Sequence, residues 1–450
     1  MTSQRYGFGL EYVVCVVCSV LLSVGCASYS DKVRSARTAL DAGHPRAAVH
    51  IFNERLGVES EKELPNDVRG DKVLYVLERS VALQSLSEYQ LSSRDLEVAD
   101  KQVEVLDFTH GTLDDISKFM FSDDSGPYQA PAYEKLMINT LNMINYLVRG
   151  DLNGARVEAR RLAVMQQFIT ERDPKHAGVG STGSYLAGFT FEKSKQPNEA
   201  LRFYDEALQF TEYGSLAEPV ARLSQLDDFK SPRLKALIAS GASAQVPADS
   251  AELLIIIGYG RVPAKVAERI PIGLALTLAS GDLSPYNRGQ ANRLAAQGLV
   301  TWINFPMLPK PRPIMNVPSV LIDQQSIPVD GVVAVDNLAV DAWRETKGKM
   351  IASCITRVIT RVLAGEVTKR ATGGGTLGFL AGLGAQVAMT AADTPDTRSW
   401  STLPARLAVA RVRVPPGPHV VDLVVAGERK RETVTLAPGS WGVVNLTVLR

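Results

Sequence analysis

The apolar residues of this 450-residue chain recur at two different intervals, and the change near Ser240–Asp249 limits the folds open to it. From about Asp31 to Glu212 the interval is helical. Beyond the small, polar stretch at the change, short apolar runs and alternating residues bounded by glycine and proline predict strands. A chain of this length allows roughly two to four domains. We therefore expect a multidomain α+β protein. Its parts are an N-terminal helical-repeat array (26–240), a mixed α/β module (250–371), a glycine-rich apolar helix (372–395) and a small C-terminal antiparallel β-sheet (396–450).

The clearest repeat unit runs from Ser184 to Leu208. Gly188, Phe191, Ala200, Tyr204 and Ala207 fall at tetratricopeptide spacing, in which small residues let two helices approach and aromatic ones fill the gap between hairpins. Lys195-Gln196-Pro197-Asn198 supplies the turn and a proline-led helix start. Two weaker hairpins are predicted at Tyr133–Gln167, broken at Arg149-Gly150-Asp151, and at Val33–Leu56, broken at Gly43-His44-Pro45. An unclassified helical bundle is the alternative.

In the second half, Glu252–Gly258 reads as a buried strand, with further strands at Leu299–Phe305, Val317–Asp323 and Gly331–Val335. A long helix from about Asp336 to Arg370 carries Met350, Ile351, Cys354, Ile355, Val358, Ile359 and Val362 on one face, so Cys354 reads as a core thiol. In Leu407–Arg450, alternation predicts four short strands, too few for a core of their own.

Residues 1–25 read as a targeting peptide: an apolar run from Val13 to Val24, short for a membrane span, ends in Leu22-Ser23-Val24-Gly25-Cys26. This resembles the lipobox of bacterial lipoproteins, with Ser23 where leucine is usual. The resemblance implies acylation of Cys26, and Ala27 in place of aspartate implies sorting to the outer membrane. With Cys15 and Cys18 removed in the peptide and Cys26 acylated, Cys354 has no disulfide partner.

Further segments resemble a family of uncharacterised, repeat-containing bacterial envelope lipoproteins. They are Tyr133-Glu134 with Asn139, Gly150-Asp151, Ala155-Arg156-Val157-Glu158-Ala159-Arg160-Arg161, Tyr185-Leu186-Ala187-Gly188 with Glu192, Asp396 to Ala405, and Ala410-Arg411-Val412 with Pro416-Gly417. The resemblance implies a task in cell-wall or outer-membrane biogenesis and brings no catalytic residues with it.

The search for chemistry is mostly negative. A net charge of +1 argues against a nucleic-acid partner. The histidines His44, His50, His110, His176 and His419 lack metal-ligand spacing and read as surface or turn residues, so no metal and no cofactor is expected. Gly178–Gly183 lacks the lysine and preceding strand of a phosphate loop and reads as a flexible connector. The acid pairs Asp114-Asp115 and Asp123-Asp124 have no partner base. Two groups remain. Arg156 and Arg160, one helical turn apart with Glu158 and Arg161 projecting elsewhere, belong either to a solvated helix face with ordinary charge pairing or to a polar patch for a protein. Asp396, Arg398 and Trp400 form either a structural latch or an interface hot spot. Gly374, Gly378 and Gly382, four residues apart, would make a smooth ridge that packs inside the chain or against a second copy in a homo-oligomer. The reading is a noncatalytic, lipid-anchored scaffold that faces the periplasm and binds a protein partner. The alternatives are a structural subunit of an outer-membrane assembly, or a cell-envelope hydrolase whose pocket is assembled from distant residues.

Overall fold

The computed structural model describes residues 27–109, 128, 130–172, 174–239, 246–247, 249–313, 317–371 and 394–450. Cys26, Gly374, Gly378, Gly382, His110 and both acid pairs lie outside these residues, as does nearly all of the expected glycine-rich helix. The described residues form fourteen α-helices and ten strands, a mixed α+β protein.

The first half begins with α1 (Tyr29–Lys32), α2 (Arg34–Asp41), α3 (Pro45–Leu56), α4 (Asp71–Ser85) and α5 (Tyr89–Thr109). There follow α6 (Ala132–Val148), α7 (Leu152–Arg172), α8 (Ser181–Lys193), α9 (Pro197–Leu208), α10 (Ala217–Leu223) and α11 (Pro232–Ala239). The helices from α2 to α9 form four hairpins, α2/α3, α4/α5, α6/α7 and α8/α9, which stack in sequence: α3 on α4, α5 on α6, α7 on α8. All four turns are built alike. Two residues after the first helix ends, a left-handed residue reverses the chain: Gly43 (φ +75°), Ser87 (+64°), Gly150 (+71°) or Lys195 (+59°). Two residues later the next helix starts. In each turn the amide after the left-handed residue reaches back five residues: His44 to the Ala39 carbonyl, Glu88 to Leu83, Asp151 to Tyr146, and Gln196 to Phe191, at 2.8–2.9 Å. This is the 6→1 bond of a Schellman C-cap, which satisfies carbonyls that a helix end leaves open. The α4/α5 hairpin escapes a sequence reading because Ser87 takes the left-handed site and no proline starts α5, whereas Pro197 marks the equally glycine-free α8/α9 turn.

Gly178–Gly183 is not a flexible connector. Pro174–Gly180 is a 3₁₀ helix that runs into α8, and Gly183 is a glycine because Thr140 and Leu162 leave no room for a side chain.

The second half contains β1 (Ala251–Tyr259), β2 (Val266–Pro271), α12 (Ile272–Leu278), α13 (Pro285–Ala296), β3 (Trp302–Met307), β4 (Ser319–Ile322), β5 (Gln325–Ile327) and β6 (Asp330–Ala334). It ends with α14 (Val335–Ala371), β7 (Arg406–Val414), β8 (Gly417–Val425), β9 (Glu428–Leu436) and β10 (Trp441–Val448). The four C-terminal strands do not form a sheet of their own. β10 and β7 flank β1 in the order β10-β1-β7-β6, whereas β8 and β9 join the sheet β5-β4-β8-β9. The reason is β1, which is buried along its whole length and so needs a strand on each edge and cover on each face. Leu253, Ile255 and Ile257 pack with Ala408, Ala410, Val421 and Leu423 between the two sheets. Leu254, Ile256, Leu407 and Val409 share a core with the helical hairpins. The layers are thus helices, sheet, sheet. A separate core joins β2, β3, α12 and α13 to α14, where Ile351, Cys354, Ile355, Val358 and Ile359 are buried as their spacing predicts, and the Cys354 sulfur accepts from Arg357 at 3.2 Å.

Candidate functional site

Apart from the Arg79–Asp95 pair inside α4/α5, groups of buried charge lie in two places, where the helices meet a strap and where they meet the first sheet. The first is a strap, Asp396-Thr397-Arg398-Ser399-Trp400-Ser401-Thr402, which crosses the helical array before β7. Trp400 is fully buried, and its indole N–H donates to the Leu77 carbonyl at 3.0 Å. Glu78 of α4 accepts the amide of Ser401 at 2.9 Å, its hydroxyl at 2.7 Å and the amide of Thr402 at 2.8 Å. Glu134 of α6 accepts the Trp400 amide at 3.2 Å and the Tyr128 hydroxyl. Asp396 holds Arg398 through two bonds of 2.8 and 2.7 Å. Asp396 thus holds Arg398, and Trp400 packs among the helices.

Environment sets the charge of these acids. Burial raises the Glu134 carboxyl to about 7, although the bonds from Tyr128 and Trp400 oppose it. Burial likewise raises Glu78 against its bonds from Ser401 and Thr402. For Asp396, burial works upward but the Arg398 guanidinium outweighs it and holds the carboxyl low.

The second place joins α8 and α9 to β1 and β7. Buried Arg411 donates to both Glu192 oxygens at 2.9 and 2.8 Å, to the Tyr204 hydroxyl at 2.9 Å, and to Glu252. Lys193 bridges Glu192 and Glu252, and Arg222 reaches Glu192 at 2.6 Å. Burial would raise the Glu192 carboxyl, but Arg411, Lys193 and Arg222 outweigh it and hold it well below its usual range. Every heteroatom of the Arg411 fork has a partner, so this cluster ties array to sheet and leaves no group aimed at a ligand.

Arg156, Glu158 and Arg160 lie on α7 (Leu152–Arg172). Glu158 points inward and accepts from Asn139 at 2.9 Å, whereas Arg160 is exposed and Arg156 bonds Asn153 on its own helix. Beside them α7 turns Val157, Val164 and Phe168 toward solvent. Gly188 lies flat against the Tyr204 ring, where any Cβ would collide. His419, expected at the surface, is buried between Asp323 at 2.6 Å and the Pro415 carbonyl at 2.7 Å. The Asp323 carboxylate and the Pro415 carbonyl both raise the imidazole pKa in spite of burial, and His419 links β8 to the β4–β5 turn.

Two cavities contain no histidine or cysteine. One, of about 250 Å³, lies between Ser224, Leu234 and Ile238. The other, of about 170 Å³, has a single carboxylate, Glu428, which pairs with Arg450 at 3.1 Å. Among the described residues no three His, Cys, Asp or Glu side chains are grouped to hold a metal, and no helix is long and apolar enough to cross a membrane. Sequence reasoning passed over Glu78 and met Arg411 only inside a resembling segment, with no role, because their partners lie hundreds of residues away.

No family model, no curated protein and no solved structure matches the chain.

Proposed function

We propose that the chain is a noncatalytic envelope lipoprotein, anchored through Cys26 in the outer membrane and facing the periplasm, that serves as a scaffold for a protein partner. The observation that carries this reading is the outer face of α7. Val157 is 48% exposed, Val164 68% and Phe168 39%, beside exposed Arg160, while the acids and arginines deeper in the array bond one another. An apolar helix face edged by arginine has the composition of protein interfaces. The array itself we take as helix-hairpin repeats. The left-handed turn residues Gly43 and Ser87 are 44 positions apart, and Gly150 and Lys195 are 45. That interval exceeds the 34 or so of a tetratricopeptide, although the Gly188–Tyr204 contact is of that kind. The segments that resemble envelope lipoproteins also meet in space, Glu134 with Trp400 and Glu192 with Arg411, which favours that relationship.

One experiment reads both halves of the proposal. A photo-crosslinker placed at Val164 of the full chain in cells should give one discrete protein adduct in the membrane fraction. In the Cys26→Ser variant, acyl labelling and membrane sedimentation after a salt wash should both disappear. No adduct from position 164 would overturn the scaffold, and a Ser variant that still sediments would overturn the anchor.

A further inference from the structure

We propose that the small module of β2, β3, α12 and α13 rests on an anionic bilayer surface beside the anchor, an inference that builds on the acylation of Cys26. The folded body starts almost at once after that cysteine. Ser28 is 2% exposed and its hydroxyl donates to Asp31 at 2.7 Å, and the Ser30 amide donates to Thr397 at 3.0 Å. No spacer separates an acylated Cys26 from the body, which then stands directly on the headgroups. Two residues along the strap, Ser399 accepts the Lys265 amide at 3.2 Å, so the entrance to β2 lies next to the chain's anchored end. From there β2 advances about 17 Å, at about 3.4 Å per residue, to Pro271, which pairs with Trp302 and leads into α12.

In this module four large side chains face solvent: Leu274 (48% exposed), Leu278 (38%), Tyr286 (67%) and Trp302 (41%). Their neighbours Ile272, Ala275, Ala291 and Ile303 fill the core against α14. The Arg269 guanidinium lies 5.5 Å from the Trp302 ring centre. Residues 265–313 hold six basic and two acidic residues, a net of +4, although the whole chain carries only +1. No described carboxylate pairs with Arg269, Arg293 or Lys310. Tryptophan and tyrosine with aliphatic neighbours and unpaired arginine suit the headgroup layer of an anionic membrane, where rings sit at the interface and cations meet phosphates.

The test uses the chain from Ala27 onward, which contains every described residue and no acyl group, mixed with phosphatidylcholine vesicles with and without phosphatidylglycerol. The expected result is sedimentation with the anionic vesicles at least about ten-fold above the neutral ones, with a blue shift of tryptophan emission. Trp302→Ser should remove most of both, and because Trp302 is already half exposed the variant should keep its circular dichroism. Equal binding to the two vesicles, or unchanged binding by Trp302→Ser, would overturn the proposal without touching the anchor, which Cys26→Ser reads separately. A crosslinker at position 302 of the anchored full chain that captures protein and no lipid would overturn it as well.

Discussion

Two buried glutamates of this chain meet opposite fates, and their neighbours decide which. Glu192 faces Arg411, Lys193 and Arg222, and the cations hold it ionised in spite of its burial. Glu134 accepts from Tyr128, Tyr133 and the Trp400 amide and feels the Lys265 charge, but burial outweighs them all and its carboxyl rises to about 7 from 4.5. A raised acid retains a proton in the folded state that the unfolded chain has already released. Stability must therefore fall as pH rises from about 4.5 through 7, by at most about 1.4 kcal/mol per pH unit for one proton. In Glu134→Gln that contribution is gone, so urea unfolding of the variant should lose less stability between pH 5 and 7.5 than the wild type does. Parallel profiles would show that Glu134 does not hold the proton. Nothing near Glu134 in the sequence announces this role, because its strap partner Trp400 is 266 positions away.

At the scale of elements, the helical hairpins were legible where a glycine or a helix-starting proline marks the turn, as Gly43-His44-Pro45, Gly150 and Gln196-Pro197 do, and hidden at Ser87, which has neither. The strands were equally readable: β1, β4, β6 and β7 fall within a few residues of their alternating or apolar runs. Their assembly was not, since alternation shows which residues share a face but not which strand lies alongside, and β7 and β10 were drawn to β1 and away from β8 and β9. Gly188 of α8 lies against the Tyr204 ring of α9. In Gly188→Leu the new side chain must displace the Tyr204 ring, which also donates to Glu192 at 2.6 Å. The expected loss is about 1–3 kcal/mol, seen as a lower thermal midpoint. An unchanged midpoint would mean that α8 and α9 separate easily and do not form a close-packed repeat.

For the molecule as a whole, the domain boundaries expected from the change in periodicity run through a continuous core. Leu254 and Ile256 of β1 and Leu407 and Val409 of β7 pack with the helices, Trp400 inserts among them, and the Glu192–Arg411–Glu252 cluster crosses the same junction. The sites that looked functional in the sequence, at Asp396–Trp400, serve this union. The function proposed for the chain depends on it, because a scaffold anchored at one end and bound at α7 transmits position only if it is rigid between them. The direct test is equilibrium unfolding in urea, followed at once by tryptophan emission and far-ultraviolet circular dichroism, for the wild type and for Arg411→Ala. The variant leaves Glu192 and Glu252 buried without their main cation, which costs about 3–5 kcal/mol. A single body predicts coincident transitions in the wild type and a shift of both signals together to lower urea in the variant. Helical and tryptophan transitions that separate in the wild type, or an Arg411→Ala shift confined to one signal, would contradict it.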